Sequence, residues 1–209
     1  MSAPSPTGRA RRATLWTLSG LLLALEAAVV ALALMPRVEP DYRAYYIDAE
    51  TDCWPRASTG DYTLGSEISF LREQADEAAA IKVCGWFYPD ADDGTWSHGA
   101  YSRLRFRFPP VATPLSLAIT AGAMVNAAHP RQRVDVSIDG TAIGTIEFST
   151  RDAETRSIAI PDAVAAKSGE GLEVRFDYPD ARPGTEMGAN EDPRPRAIRL
   201  EAVAIETAE

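Results

Sequence analysis

Tyr101-Ser-Arg-Leu104-Arg-Phe106-Arg-Phe108 alternates apolar and basic side chains almost without a break. Successive side chains of an extended chain point to opposite faces, so Leu104, Phe106 and Phe108 share one side and Arg103, Arg105 and Arg107 the other. The run therefore predicts a strand with one buried and one solvated face. Pro109-Pro110 ends it, because proline has no N–H to give to a strand ladder. The same period recurs outward from this run. Leu115-Ser-Leu117-Ala-Ile119-Thr comes next, followed by Arg133-Val134-Asp-Val136-Ser-Ile138 and, beyond Asp139-Gly140, Ile143-Gly-Thr-Ile146-Glu-Phe148. Asp-Gly between two alternating runs predicts a hairpin with a type I′ turn, since both residues tolerate positive φ. Thr155–Ile160 stops at Pro161, Leu172–Tyr178 stops at Pro179, and Ala197–Ile205 alternates again.

Upstream, Tyr62–Leu64, Glu67–Phe70 and Ile81–Trp86 read as further strands, giving about nine short strands in all. The expected fold is all-β, an antiparallel jelly-roll-like β-sandwich over residues 44–209. Short helices are expected at Arg72–Ala80 and Asp162–Lys167. Tyr178 to Arg196, which holds Pro179, Pro183, Gly184, Gly188, Pro193 and Pro195, reads as a long loop.

The amino terminus has a different character. Residues 1–12 form a basic tail with Arg9, Arg11 and Arg12, and residues 13–35 are apolar except for Glu26. At about 1.5 Å per residue this segment reaches roughly 35 Å, enough for a hydrocarbon core of about 30 Å. It is expected to be a transmembrane anchor, with 36–43 as a stalk. Basic residues are retained on the cytoplasmic side, so the expected topology is single-pass in an inner membrane, with the amino terminus cytoplasmic and the sandwich periplasmic or otherwise extracytoplasmic. The alternative is a cleaved signal peptide, for which Ala31-Leu32-Ala33 has the small-x-small pattern. Both readings export the domain. Glu26 would cost about 2.5–3.5 kcal/mol in lipid, which points to a protonated carboxyl or a partner helix in the membrane, against the alternative of a single acid tolerated in a sufficiently hydrophobic segment.

Residues 36–209 carry 18 basic and 29 acidic side chains, a formal charge of −11. That excess repels phosphate backbones and argues against nucleic-acid binding. The cysteines, Cys53 and Cys84, both fall in the exported part and are expected to form a disulfide, against the alternative of two buried free thiols. No metal centre or cofactor is expected, since two thiolates would need further ligands and the chain holds only His98 and His129 as imidazoles. Asp90-Ala-Asp92-Asp93-Gly94 has the look of a calcium loop, but it misses the EF-hand spacing and lacks the closing Glu. No nucleophile elbow, zinc-protease helix or phosphate loop is present, so the chain does not read as an enzyme. Asp92 with Glu191 would be the pair to examine for a secreted glycan-active enzyme.

Gly85-Trp86-Phe-Tyr-Pro-Asp90 and Gly94-Thr-Trp96-Ser97-His-Gly99-Ala100, the Val134–Ile146 hairpin, and Asp192-Pro-Arg194-Pro-Arg-Ala-Ile together resemble jelly-roll β-sandwich domains of bacterial envelope proteins. These domains accompany membrane glycosyltransferases and other surface-polysaccharide machinery. The sequence departs from them where the family usually has an acidic residue two or three positions after the second aromatic, a place that Pro89-Asp90 takes here. The resemblance implies a non-catalytic, carbohydrate-related module, for which envelope polysaccharide is the expected ligand; a membrane glycosyltransferase or transporter is the partner expected if the chain is an interaction subunit. Sugar rings stack on aromatics and their hydroxyls pair with polar side chains, so Trp86, Tyr88, Asp92 and Trp96 are the expected subsite, with Asp192 and Arg194 from the later motif. Against this, Trp86 and Trp96 can serve as core plugs bracketing a hairpin, and Trp54 can pack on the disulfide. The other functional reading is an interaction subunit of a membrane complex that contacts no glycan, with Glu26 and the 178–196 segment as its contacts.

Overall fold

The structure, a computed structural model, describes residues 6–34, 53, 58–87, 92–189 and 191–208. Two compact units divide it, Met1–Arg43 and Ala44–Glu209. The first contains helix α1 (Pro6–Leu34), whose described side chains, 14–30 and 32, are all exposed. Leu15, Trp16, Leu21, Leu23 and Leu25 lie among them, with Ala24 and Ala27 on the side between, so apolar surface runs round the helix. A helix forms over most of the segment expected to cross a membrane. Among the described residues, however, no helix is long and apolar enough to do so. The expected stalk, 36–43, lies outside the described residues, as do the side chains of Arg9, Arg11 and Arg12.

The second unit consists of β1 (Glu67–Ser69), a 3-10 turn at Arg72–Gln74 running into α2 (Ala75–Ile81), β2 (Lys82–Cys84), β3 (Thr95–Trp96), β4 (Tyr101–Phe106), β5 (Leu115–Ala123), β6 (Gln132–Ile138), β7 (Thr141–Phe148), β8 (Glu154–Ile160), α3 (Asp162–Ala165), β9 (Leu172–Asp177), β10 (Arg182–Pro183), α4 (Gly184–Met187), β11 (Pro195–Arg196) and β12 (Ile198–Thr207). One sheet runs β1-β12-β5-β8 with β3 also on β12, and the other runs β2-β4-β9-β6-β7. The paired strands are antiparallel. The chain crosses between sheets at β4 to β5, β5 to β6, β7 to β8 and β8 to β9, as a sandwich requires.

The alternation read in the sequence is what closes this core. Leu104 and Phe106 of β4, Val134, Val136 and Ile138 of β6, and Leu172, Val174 and Phe176 of β9 are buried, while the residues between them turn outward. Leu115, Leu117 and Ile119 from β5 and Ile198, Leu200 and Val203 from β12 face them in one continuous cluster. Burial of each such side chain contributes about 1.5–3 kcal/mol before chain entropy is counted. Asp139 (φ 48°) and Gly140 (φ 76°) form the two-residue turn between β6 and β7, both in the left-handed region.

Three local expectations need correction. Tyr62–Leu64 is not a strand. The chain turns there, with Ser66 N–H donating to Thr63 O at 3.0 Å and Gly65 at φ 84°, while the Tyr62 hydroxyl accepts from Ile205 N–H at 2.8 Å and donates to Ser66 O at 2.5 Å. Ile81 ends α2 instead of opening a strand, because its side chain is drawn fully into the core. The 178–196 segment is partly ordered by β10 pairing with β11 around the single turn of α4.

Cys53 and Cys84 form a disulfide, with Cα atoms 4.7 Å apart. It ties residue 53 to the end of β2, and Arg103 Nε donates to Cys84 Sγ at 3.1 Å.

Candidate functional site

A row of residues crosses the outer face of the first sheet. In register, Trp96 of β3 lies opposite Arg199 of β12, and Arg199 lies opposite Gly122 of β5. Ile198 and Leu200 point into the core, so Arg199 must point away from it, and it is only partly covered. Gly122 leaves the row short by one side chain. The carbonyl of Arg151, from the β7–β8 connection, closes over that gap so tightly that a Cβ on residue 122 would collide with it. Gly94 serves β3 in the same way, since a Cβ there would lie 2.6 Å from Leu200 O. Trp96, Arg151, Arg196 and Arg199, with Ala123, Met124 and Ala189, line an open cleft of about 240 Å³.

Beside the cleft is a stack built on Phe87. Its backbone N–H donates to Trp96 O at 2.9 Å, and its ring lies 4.8 Å from the His98 ring. The guanidinium groups of Arg194 and Arg196 each lie 4.3 Å from the Phe87 ring centre, and that of Arg196 lies 5.9 Å from the Trp96 ring. Asp192 fixes both arginines. It accepts from Arg194 Nε at 2.9 Å and Nη2 at 2.7 Å, from the Arg194 backbone N–H at 3.0 Å, and from Arg196 Nη2 at 2.5 Å. The Arg194 side chain, then its backbone N–H, hold the Asp192 carboxyl well below the usual carboxylate range, against the opposing cost of desolvation, with Arg196 adding to the effect. Arg199 is held on the far side by Asp93 at 2.9 Å and Glu201 at 2.8 Å. Nε of Arg196 and Nε of Arg199 are buried with no hydrogen-bond partner among the described residues.

The structure thus brings Trp96, Asp192 and Arg194 together, while Trp86 and Asp92 are engaged elsewhere. Trp86 must be corrected. It is 93% buried, its ring contacts Phe70 and Phe176 at about 6 Å between centres, and its indole N–H donates to Arg103 O at 3.1 Å. A sugar ring has no face of it to stack on. Asp92 pairs instead with Arg72 at 3.1 Å on the surface. Tyr88, Asp90 and Trp54 lie outside the described residues. Among the described residues no three or more His, Cys, Asp or Glu side chains gather around a metal position. Glu26 is exposed in mid-helix.

The sequence reading missed Phe87, Arg151, Arg196 and Arg199. For Phe87 a signal was present. Adjacent aromatics in an extended segment face opposite ways, so a buried Trp86 implies an outward Phe87.

No protein-family model matches this chain, and no curated protein matches it. Among solved structures, the chain is similar to the CBM36-1 domain of a multidomain xylanase from the hindgut metagenome of Trinervitermes trinervoides, at 11% identity and TM-score 0.41, over 69% of this chain and 99% of that one. It is similar to a carbohydrate-binding module CBM36 in complex with calcium and xylotriose, at 13% identity and TM-score 0.38, over 58% of this chain and 87% of that one. It is also similar to the C-terminal CBM6 of a marine laminarinase from Zobellia galactanivorans, at 6% identity and TM-score 0.36, over 68% and 100% respectively. At these scores no residue correspondence follows.

Proposed function

We propose that the chain is a non-catalytic, glycan-binding β-sandwich module of jelly-roll type, held outside a bacterial-type inner membrane by its N-terminal helix as an accessory of envelope polysaccharide synthesis. One observation carries the binding part: Trp96 stands half-buried in an open cleft on the outer sheet face, flanked by arginines that carboxylates hold in place. An aromatic ring with an exposed face accepts the apolar side of a sugar, and guanidinium donors meet its hydroxyls. Because those donors are already oriented, little side-chain freedom is lost on binding. Asp192, which pairs with the lining residue Arg196, is kept ionised by two arginines and so has no proton to give at neutral pH, which suits a binder better than a glycosidase acid.

The anchoring part draws on the sequence of residues 13–35 and on the apolar surface around α1, since a helix apolar on every side is at home in lipid or protein. Calorimetry of the full chain with envelope polysaccharide tests the binding reading. Trp96→Ala should weaken binding by about tenfold with the melting temperature little changed. Unaltered affinity in Trp96→Ala would remove the cleft from the reading. No heat with native polymer, together with crosslinking of Glu26 to a membrane protein, would leave the interaction-subunit reading in its place.

A further inference from the structure

We propose that the Trp96 cleft selects acidic glycans, polymers of uronic acid as a class, and that Arg151 is the residue that receives the carboxylate. This names the ligand class of the site described above and rests on the glycan-binding reading.

The domain carries 29 acidic and 18 basic residues over 36–209, yet every ionisable side chain lining this cleft is an arginine. The carboxylates that pair with Arg196 and Arg199, namely Asp192, Asp93 and Glu201, stand outside the lining. Arg151 differs from both. Its Nε donates to Val125 O at 3.0 Å, and its guanidinium has no carboxylate partner among the described residues. It is also exposed.

The connection that carries it is pinned, because Ala123 N–H donates to Thr150 O at 2.8 Å and Asp152 N–H donates to Thr150 Oγ1 at 3.1 Å. The result is an exposed, unpaired guanidinium fork, positioned at the edge of a cleft that holds an aromatic ring. A planar fork of N–H donors matches the two oxygens of a carboxylate, and a neutral sugar leaves that charge unmatched. Asp192, Asp93 and Glu201 offset Arg196 and Arg199 at close range, which leaves Arg151 as the uncompensated charge at the cleft, and at about 0.15 M salt the screening length of about 8 Å mutes the acidic surface further off.

A second cleft, of about 370 Å³, also contains arginines: Arg131, Arg133 and Arg182. There Glu147 and Asp180 share the lining and are already paired, with Arg131 at 3.5 Å and Arg133 at 3.0 Å. That lining holds no Trp, Tyr or Phe ring for a sugar to stack on, so the selection is assigned to the first cleft.

The test titrates the full chain in detergent, at about 0.15 M salt, with polygalacturonate fragments, dextran sulfate and neutral dextran. Polygalacturonate should bind about tenfold more tightly than dextran. Arg151→Gln should abolish that preference, so that the variant binds polygalacturonate no more tightly than dextran, and Arg182→Gln should leave both affinities unchanged. Equal affinity for polygalacturonate and dextran would overturn the selection and leave glycan binding standing. Dextran sulfate bound more tightly than polygalacturonate would overturn the carboxylate assignment in favour of charge density. Loss of the preference in Arg182→Gln but not in Arg151→Gln would move it to the other cleft, against the proposal. No affinity for any of the three polymers would sink the proposal together with the reading it rests on.

Discussion

Asp192 occupies the centre of the site's electrostatics without lining the cleft itself, since it holds Arg196, which does. It is largely covered, and two guanidinium groups and a backbone N–H converge on it. Its acidity is therefore strengthened relative to the unfolded chain, where an aspartate titrates near about 3.9. With a depressed folded-state value, the stabilisation is complete above the unfolded value and is lost as pH falls toward the folded one, because the unfolded chain takes up the proton first. Stability to urea should thus be level from about pH 7 to 5 and fall below about pH 4, and Asp192→Asn should show a shallower fall. Identical acid slopes for the two proteins would show that the pair contributes nothing to the folded state. At this scale the sequence is only partly legible. Asp192 and Arg194 are readable as a motif, and Trp96 as an aromatic candidate. What Phe87 does becomes apparent only when Arg194 and Arg196, over a hundred residues further on, come to lie above its ring. Trp86 and Trp96 look alike as letters, and the register of β3 on β12 is what separates core plug from cleft wall.

Elements that depend on local chemistry are the readable ones. The β6–β7 hairpin follows from Asp139-Gly140 and the alternation on each side, and the structure forms it with both turn residues at positive φ. The 178–196 segment was opaque for the opposite reason. Its prolines and glycines signal turns, but the β10–β11 pairing that orders it joins residues 182 and 196, a distance that no local rule reaches. Glycines separate the two situations experimentally. Gly140 has φ 76° with open space where a Cβ would stand, whereas Gly85, also at φ 76°, has the Tyr101 carbonyl there and Ser102 Cα at 2.6 Å. Gly140→Ala should cost only the left-handed penalty, about 1–2 kcal/mol. Gly85→Ala adds a backbone collision just past the end of β2, and should cost about 1–3 kcal/mol more. Chemical denaturation of the two variants gives the comparison, and equal losses would mean that the close approach of Gly85 to β4 contributes no constraint.

For the molecule as a whole, composition and periodicity were enough for an all-β sandwich but not for the order of its strands. That order places the last strand, β12, between β1 and β5 and sets β9 between β4 and β6, and such pairings depend on burial across the whole chain. The disulfide belongs to this scale too, since it joins a point before the sandwich to its first β4-paired strand across 31 residues. In the chain-entropy account, closing such a loop stabilises the fold by about 3–4 kcal/mol. It also links the fold to the compartment, because a bridge of this kind persists where the surroundings are oxidising and is lost in a reducing cytosol. Full-length protein made in cells and trapped with an alkylating reagent at lysis should take up no label at Cys53 or Cys84, and should take up two after reduction. The reduced form should unfold at lower denaturant, by an amount matching that stabilisation. Two labelled thiols in the untreated protein would place the domain on the reducing side of the membrane. The export reading would then fall, and glycan binding would have to be argued for a different compartment.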